Sequence, residues 1–350
     1  LRQLLEWWLA ERCPEPSREM ATRQLGKHVM GSELADYPLP AITADLLEAK
    51  VLERMEKGGA APATVNRVRG SLHSAFEAAR LPPRRWSGVN PVSETRPRKV
   101  VRKDRPTLSP EQVAQVLAEV GDPGWRSVMA VAAYLGLRRG EIYALKKSDY
   151  DREHQTLRVA ASNQRDTTKG GRRDTLPVPS MLRPYLELAR RTAGFFLFPD
   201  AHGRQRTREA DPHLILRRAC ARIGLAKEWK SYCLTCKRAG RPHEQTSKTK
   251  PAPALCPVDK HPRRVKAVPM AIRFHDLRHS CATNLLKAGV PIAHVTRILR
   301  HSSIRITNDT YGHLGVEDLR EAVEGRAPSN ESAQALTRRA QNEHAGGGPD

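Results

Sequence analysis

Phe274-His275-Asp276-Leu277-Arg278-His279-Ser280 brings two histidines and an arginine into one short stretch. The same mixture of basic and hydrogen-bonding side chains recurs on either side of it. Upstream stands Tyr134-Leu135-Gly136-Leu137-Arg138-Arg139-Gly140-Glu141-Ile142. Downstream come Ile298-Leu299-Arg300-His301-Ser302-Ser303, then Thr307, then Thr310-Tyr311-Gly312-His313-Leu314. No dense carboxylate cluster accompanies these stretches, which argues against a two-metal nuclease site. They suit another chemistry. A tyrosine hydroxyl, with a pKa of ~10, attacks only when its proton is removed and its target is made electrophilic. Guanidiniums meet the second need, because each is permanently charged and donates two parallel hydrogen bonds to phosphate oxygens.

The composition points to a polyanionic partner. The 350 residues carry 60 Lys+Arg against 38 Asp+Glu, a formal net charge of +22. Nucleic acid is the simplest ligand for that excess. The apolar stretch 128–137 near the middle of the chain is far shorter than the ~20 residues a bilayer span needs. Glu6, Glu11, Glu15 and Glu19 are unlike a signal or transit peptide. Cysteines are too sparse for a disulfide scaffold, so a reducing, cytoplasmic compartment is expected.

Charge also divides the chain. Residues 1–60 hold 8 basic and 10 acidic side chains, whereas 61–104 hold 10 basic and 3 acidic. A helix over 44–57 would bury Leu47, Val51 and Met55 and stop at Gly58-Gly59. A second, with Thr64 as its cap, would bury Val68, Leu72, Ala75, Phe76 and Ala79. Arg67 and Arg69 then lie off that stripe, either as a DNA-phosphate-tracking face or as an ordinary solvated one. Residues 1–95 are therefore expected to form a helical DNA-binding domain, followed by a basic linker over 96–106. Ser109-Pro110-Glu111-Gln112 opens a second domain, over 107–325, with a capping box. Helices at 111–120, 125–135 and 140–145 lead into a β patch at 156–160 and 174–178, after which helices return. The tail, 326–350, has too little apolar content to fold. The expected fold class is mainly α with a small β-sheet (α+β).

These stretches resemble the tyrosine recombinases, or phage integrase family. The family's two arginines, its His-x-x-Arg pair, its second histidine and its terminal tyrosine each find a match in order. The resemblance runs over roughly 105–319, with a looser match of the first hundred residues to the family's helical core-binding domain. It implies a core-binding and a catalytic domain forming a C-shaped clamp on double-stranded DNA, and a homotetramer in the synaptic complex. It assigns Arg138 and Arg278 as phosphate clamps, Tyr311 as nucleophile and His275 as acid/base near it. His301 would hydrogen-bond a phosphate oxygen. Lys169, in the turn Thr168-Lys169-Gly170-Gly171-Arg172-Arg173-Asp174, would protonate the leaving 5′-hydroxyl. The product is a covalent 3′-phosphotyrosine, and no cofactor is required. Arg300 departs from the family, which commonly has glycine before this histidine. The implied activity is site-specific recombination by a mobile-element integrase, cytoplasmic and nucleoid-associated. The alternatives are a type IB topoisomerase-like strand transferase and a non-catalytic DNA-binding protein of the same fold.

One segment, 226–270, belongs to neither motif nor family core. Cys233-Leu234-Thr235-Cys236 is a Cys-x-x-Cys knuckle, and Leu255-Cys256-Pro257-Val258-Asp259-Lys260-His261 opens like a second. Such spacing suits a structural zinc. The expected ligands are Cys233, Cys236, Cys256 and His261, with Asp259 and, more distantly, His243 as alternatives for the fourth position. A degenerate loop of reduced cysteines is the competing reading.

Overall fold

The computed structural model describes residues 1–101, 105–162, 173–207, 209–241 and 243–311. The chain separates into two compact units, Leu1–Asp104 and Arg105–Asp350. It is helix-rich, with two small antiparallel sheets.

The first unit is all-helical. Arg2–Glu11 and Glu15–Leu25 pack with a 19-residue helix, Pro62–Arg80, whose Val65, Val68, Leu72, Ala75, Phe76 and Ala79 are buried. That three-and-four spacing is the buried stripe the sequence implies. The start differs by three residues from expectation. Pro62 occupies the first turn and Ala61 the cap position, so Thr64 lies inside the helix and caps nothing. Proline is tolerated there because its missing N–H would have had no helical partner. Leu47, Val51 and Met55 are buried as expected, but 44–57 is interrupted by a π-helical stretch, Glu48–Leu52.

The expected linker is anchored at its start. Asn66 accepts the Arg98 N–H at 2.6 Å and donates to the Arg98 carbonyl at 2.8 Å. The Arg98 guanidinium pairs with Glu56 at 3.0 Å and with Glu48. Residues 96–98 thus belong to the first unit's packing. The charge of this segment hid its anchoring: Arg98 is neutralised by two carboxylates from the preceding helical run.

The second unit opens with the capping box. Ser109 Oγ accepts the Gln112 N–H at 3.2 Å, and Gln112 Oε1 accepts the Ser109 N–H at 2.9 Å. Every residue from 127 to 133 in the helix Pro123–Tyr134 is buried, which makes it the central element of the core. Strands β1 (Tyr150–Asp151), β2 (Thr156–Val159) and β3 (Asp174–Pro177) form an antiparallel meander, with Leu157 opposite Leu176. Lys169 lies between β2 and β3, outside the described residues, as does the tail 326–350. The central helix packs against Phe274–Lys287, which carries the His-x-x-Arg pair.

The segment 226–270 is built mainly of strands, with one short helix, Leu234–Arg238. It forms a second antiparallel sheet in the order β5-β4-β6, from β4 (Ala226–Tyr232), β5 (Glu244–Ser247) and β6 (Arg264–Pro269). Lysines alternate with Trp229, Ser231 and Tyr232 along β4, so the apolar signal that normally marks a strand is faint. Among the described residues, no helix is long and apolar enough to cross a membrane.

Candidate active site

The buried backbone of the site is Arg278. Its helix begins where Asp276 Oδ2 accepts the Arg273 N–H at 2.7 Å, satisfying one of the first turn's free donors. Arg278 follows two residues later and is only 2 % exposed. Its guanidinium donates from Nη1 to the Gly136 carbonyl and from Nη2 to the Leu299 carbonyl. One side chain therefore ties together all three motif stretches. Gly136 is needed at this junction: its φ is +63°, and a Cβ there would meet Leu299 Cδ2 at 2.5 Å.

Arg138 approaches from the second stretch. It stands at the cap of the helix Arg139–Ala144, and its Nη1 donates to Glu141 Oε1 at 2.9 Å. Its backbone N–H donates to the other oxygen of the same carboxylate, also at 2.9 Å. Nη2 lies 3.3 Å from the Arg300 carbonyl. Neighbouring Arg139 points elsewhere and pairs with Asp211 at 3.1 Å. With Arg217, Arg273 and His275 it lines an open cleft of the same unit.

Three histidines complete the cluster. His275 and His279 meet edge to face with ring centroids 5.0 Å apart, and Arg105 Nη1 lies 2.9 Å from His279 Nε2. Desolvation, then the charges of His279, Arg278, Arg105 and Arg138, lower the pKa of His275 to about 3. Burial and then Arg278 and Arg138 hold His301 at about 4. Burial and Arg105 likewise hold His279 at about 4, against a smaller upward pull from Asp276. All three rings are thus neutral at neutral pH. His301 Nδ1 is 2.8 Å from Thr307 Oγ1, which lies 2.9 Å from Thr296 Oγ1. Thr307, fully buried, lies in the helix Ile304–Tyr311, whose last described residue is the tyrosine.

The structure thus gathers Arg138, His275, Arg278 and His301 into one electrostatic neighbourhood, and the helix that follows carries Tyr311. It also supplies residues to which the sequence reading gave no role. Glu141, 1 % exposed, holds Arg138 and lies 3.4 Å from Arg300 Nη1. Its signal was present: an acid three residues after Arg138 at a helix start.

Arg300 itself explains the family's glycine. Its φ is +56°, in the left-handed region where a side chain costs about 1 kcal/mol or more. In return Nε binds Asp174 Oδ2 on β3 at 2.6 Å, so the arginine joins β3 to Glu141. Replacing Arg300 by Ala keeps the backbone strain and removes the bridge, whereas Gly removes both. Arg300→Gly should therefore be more stable than Arg300→Ala by about 1 kcal/mol in chemical denaturation. Equal stabilities would show that the left-handed turn carries no cost here.

The two arginines expected on a DNA face differ in the first unit. Arg67 is exposed. Arg69 is half-buried and donates to Thr95 Oγ1 at 2.8 Å and to the carbonyls of Thr95 and Val92 at 2.9 and 3.1 Å. Arg69→Ala should cost about 1–3 kcal/mol of stability by removing the guanidinium donor from the Thr95 carbonyl and hydroxyl oxygens. Arg67→Ala should leave stability unchanged and reduce the salt slope of DNA binding by roughly one unit. Matching effects of the two substitutions in both measurements would contradict this division.

Cys233, Cys236 and Cys256 converge in the sheet-bearing segment, and the fourth group with them is Asp259. The expected His261 is not part of the cluster. Its side chain is 62 % exposed, and its backbone N–H instead donates to Asp259 Oδ1 at 3.1 Å.

Comparison with known proteins gives a consistent family of relatives. Residues 255–317 match the model described as the phage integrase family. The XerC-like tyrosine recombinase of Caldanaerobacter subterraneus subsp. tengcongensis is 25 % identical, covering 93 % of this chain and 82 % of the relative. XerA of Thermococcus kodakarensis is 27 % identical over 79 % of each chain. Among solved structures, the Tn1549 transposon integrase in complex with transposon right end DNA superposes with a TM-score of 0.65. It covers 93 % of this chain and 99 % of its own, at 19 % identity. A lambda integrase tetramer bound to a Holliday junction gives a TM-score of 0.61 at 17 % identity, covering 88 % and 75 %.

Proposed function

The chain belongs to the phage integrase family of tyrosine recombinases, and from that premise we propose that it is a site-specific recombinase whose catalytic centre is Arg138, Lys169, His275, Arg278, His301 and Tyr311. The observation that carries this reading is Arg278, bound to main-chain carbonyls of both other motif stretches. A guanidinium so fixed has no reorganisation left to make when charge develops on a phosphate.

In this reading the Tyr311 oxygen attacks the phosphorus and the bond to the 5′-oxygen breaks. The tyrosine proton passes to His275, which is neutral and able to accept it. Lys169 gives a proton to the departing 5′-oxygen, which leaves as the 5′-hydroxyl. Arg138 and Arg278 stabilise the charge of the five-coordinate intermediate. Thr296 Oγ1 donates to the Ile292 carbonyl and lies against Thr307 Oγ1, which in turn holds His301 Nδ1 at 2.8 Å and so orients the ring. With its proton on Nε2, His301 would donate to a phosphate oxygen. The phosphotyrosine retains the phosphodiester's energy, so a second 5′-hydroxyl reverses the reaction without a nucleotide cofactor.

Exchange of two duplexes needs four such sites, and the assembly read here is a homotetramer on two DNA segments. The setting is a mobile element recombining DNA in the cytoplasm. The test is incubation with nicked suicide substrates from the DNA flanking its own gene, followed by sequencing of the covalent junction. A 3′-linked adduct at one sequence, and Holliday junctions from paired sites, are expected. Relaxation of supercoils without junctions would instead identify a topoisomerase-like enzyme, and the absence of any adduct would refute strand transfer.

A further inference from the structure

We infer that Cys233, Cys236, Cys256 and Asp259 bind one zinc ion, which closes the β4–β6 insertion as a structural knuckle. The inference does not depend on the strand-transfer reading. Its first support is the donor set. The three thiols are 0, 3 and 0 % exposed, and they form a cluster of their own apart from the apolar core of the unit. Asp259 turns Oδ2 into that cluster, 2.9 Å from Cys233 Sγ and 3.4 Å from Cys236 Sγ. A carboxylate set against buried thiols without a cation is an unfavourable arrangement; around zinc it is an ordinary one.

Geometry is the second support. All four ligand atoms lie within 4.8 Å of one another. Sulfurs about 2.3 Å from a tetrahedral zinc are separated by about 3.8 Å, and Cys236 and Cys256 Sγ are 3.7 Å apart. A carboxylate oxygen in the remaining corner lies about 3.5 Å from each sulfur by the same construction. The Cys236–Asp259 edge matches that value, and the Cys233–Asp259 edge must open slightly.

The backbone provides two turns that present these ligands. Cys233 follows β4 directly and precedes the short helix Leu234–Arg238, with the Lys237 N–H donating to the Cys233 carbonyl at 3.1 Å. In the second turn the Lys260 N–H donates to the Cys256 carbonyl at 3.0 Å, and Lys260 has a φ of +60°. The Cys256 N–H donates to the His261 carbonyl at 2.8 Å, and Leu255 bridges Pro262. This closure commits the His261 backbone to the turn. Three thiolates and a carboxylate around zinc carry a net charge of −2, which the basic side chains of the segment offset. Such a centre would pin the end of β4 to the loop that leads into β6. β6 ends at Pro269, and the His275 helix begins at Phe274. The metal would therefore fix the path by which the chain enters the catalytic helix.

The test uses the full chain purified with zinc, passed over chelating resin and analysed by elemental mass spectrometry. About one zinc per chain is expected. Cys233→Ser and Cys256→Ser should lose it, while His261→Ala should retain it in full. Asp259→Ala should weaken retention, and Asp259→Cys should strengthen it. Cobalt(II) exchanged into the unsubstituted protein should show tetrahedral visible bands with sulfur charge-transfer absorption, a readout that needs no variant to fold. Unsubstituted protein that retains no zinc would overturn the inference. So would native thiol titration that finds Cys236 and Cys256 joined as a disulfide, or loss of zinc in His261→Ala with retention in Asp259→Ala.

Discussion

Tyr311→Phe is expected to abolish the covalent protein–DNA adduct on a nicked suicide substrate, lowering its formation at least about a thousandfold. Only the attacking oxygen is removed, so no other described contact of the site is disturbed. The helix Ile304–Tyr311 remains held by Thr307, which is fully buried and bonded to both Thr296 and His301. Because Thr307 and Tyr311 lie about one helical turn apart, that anchor fixes where along the site the tyrosine backbone stands. DNA affinity, carried by many basic side chains, should therefore stay within about threefold of the parent. Gel separation of denatured adduct measures the first effect, and a binding titration on uncut duplex measures the second. An adduct that persists in the variant would move the nucleophile to another residue.

The parts of this protein that could be read from sequence are those in which a local pattern and its physical consequence coincide. Ser109 and Gln112 are a capping box because the two residues satisfy each other's free backbone groups at short range. The stripe from Val68 to Ala79 is buried because helical periodicity alone puts it on one face. His275, Arg278 and His301 were singled out through the family resemblance, and the fold places them within electrostatic reach of one another. What escaped the reading depends on partners distant in sequence. Arg69 looks like any surface arginine until the Pro91–Glu94 turn folds back beneath it. Glu141 and Arg300 are 159 positions apart, and only the folded chain reveals their contact. The fourth thiol-facing group was misjudged on donor preference. Histidine is the better zinc ligand in isolation, but the second turn closes at His261 and directs Asp259 inward. Strands β4 to β6 were hidden by composition, since lysines and prolines dilute the alternation that marks a sheet.

Arg278→Lys should have the second-largest effect, because the substitution keeps the charge and removes the geometry. An ammonium is a single point of donation and cannot span the Gly136 and Leu299 carbonyls while also presenting a planar edge to phosphate. Two consequences separate experimentally. Losing one of two buried donor contacts leaves a carbonyl unpaired, which should lower stability by about 1–3 kcal/mol. Losing a preorganised donor at a developing phosphorane should slow adduct formation by about 100- to 1000-fold under single-turnover conditions. Gly136 supplies the control. Gly136→Ala leaves every side chain of the proposed centre chemically intact but drives a Cβ to 2.5 Å from Leu299 Cδ2 and strains a backbone at φ +63°. It should destabilise the protein by a similar amount while slowing cleavage far less at temperatures where both variants are folded. If Arg278→Lys cleaves within about tenfold of the parent rate, below the loss of even one such donor, the phosphate clamp must reside elsewhere. If both variants lose activity only in proportion to unfolding, Arg278 is a buried tie between the motif stretches and not a catalytic residue.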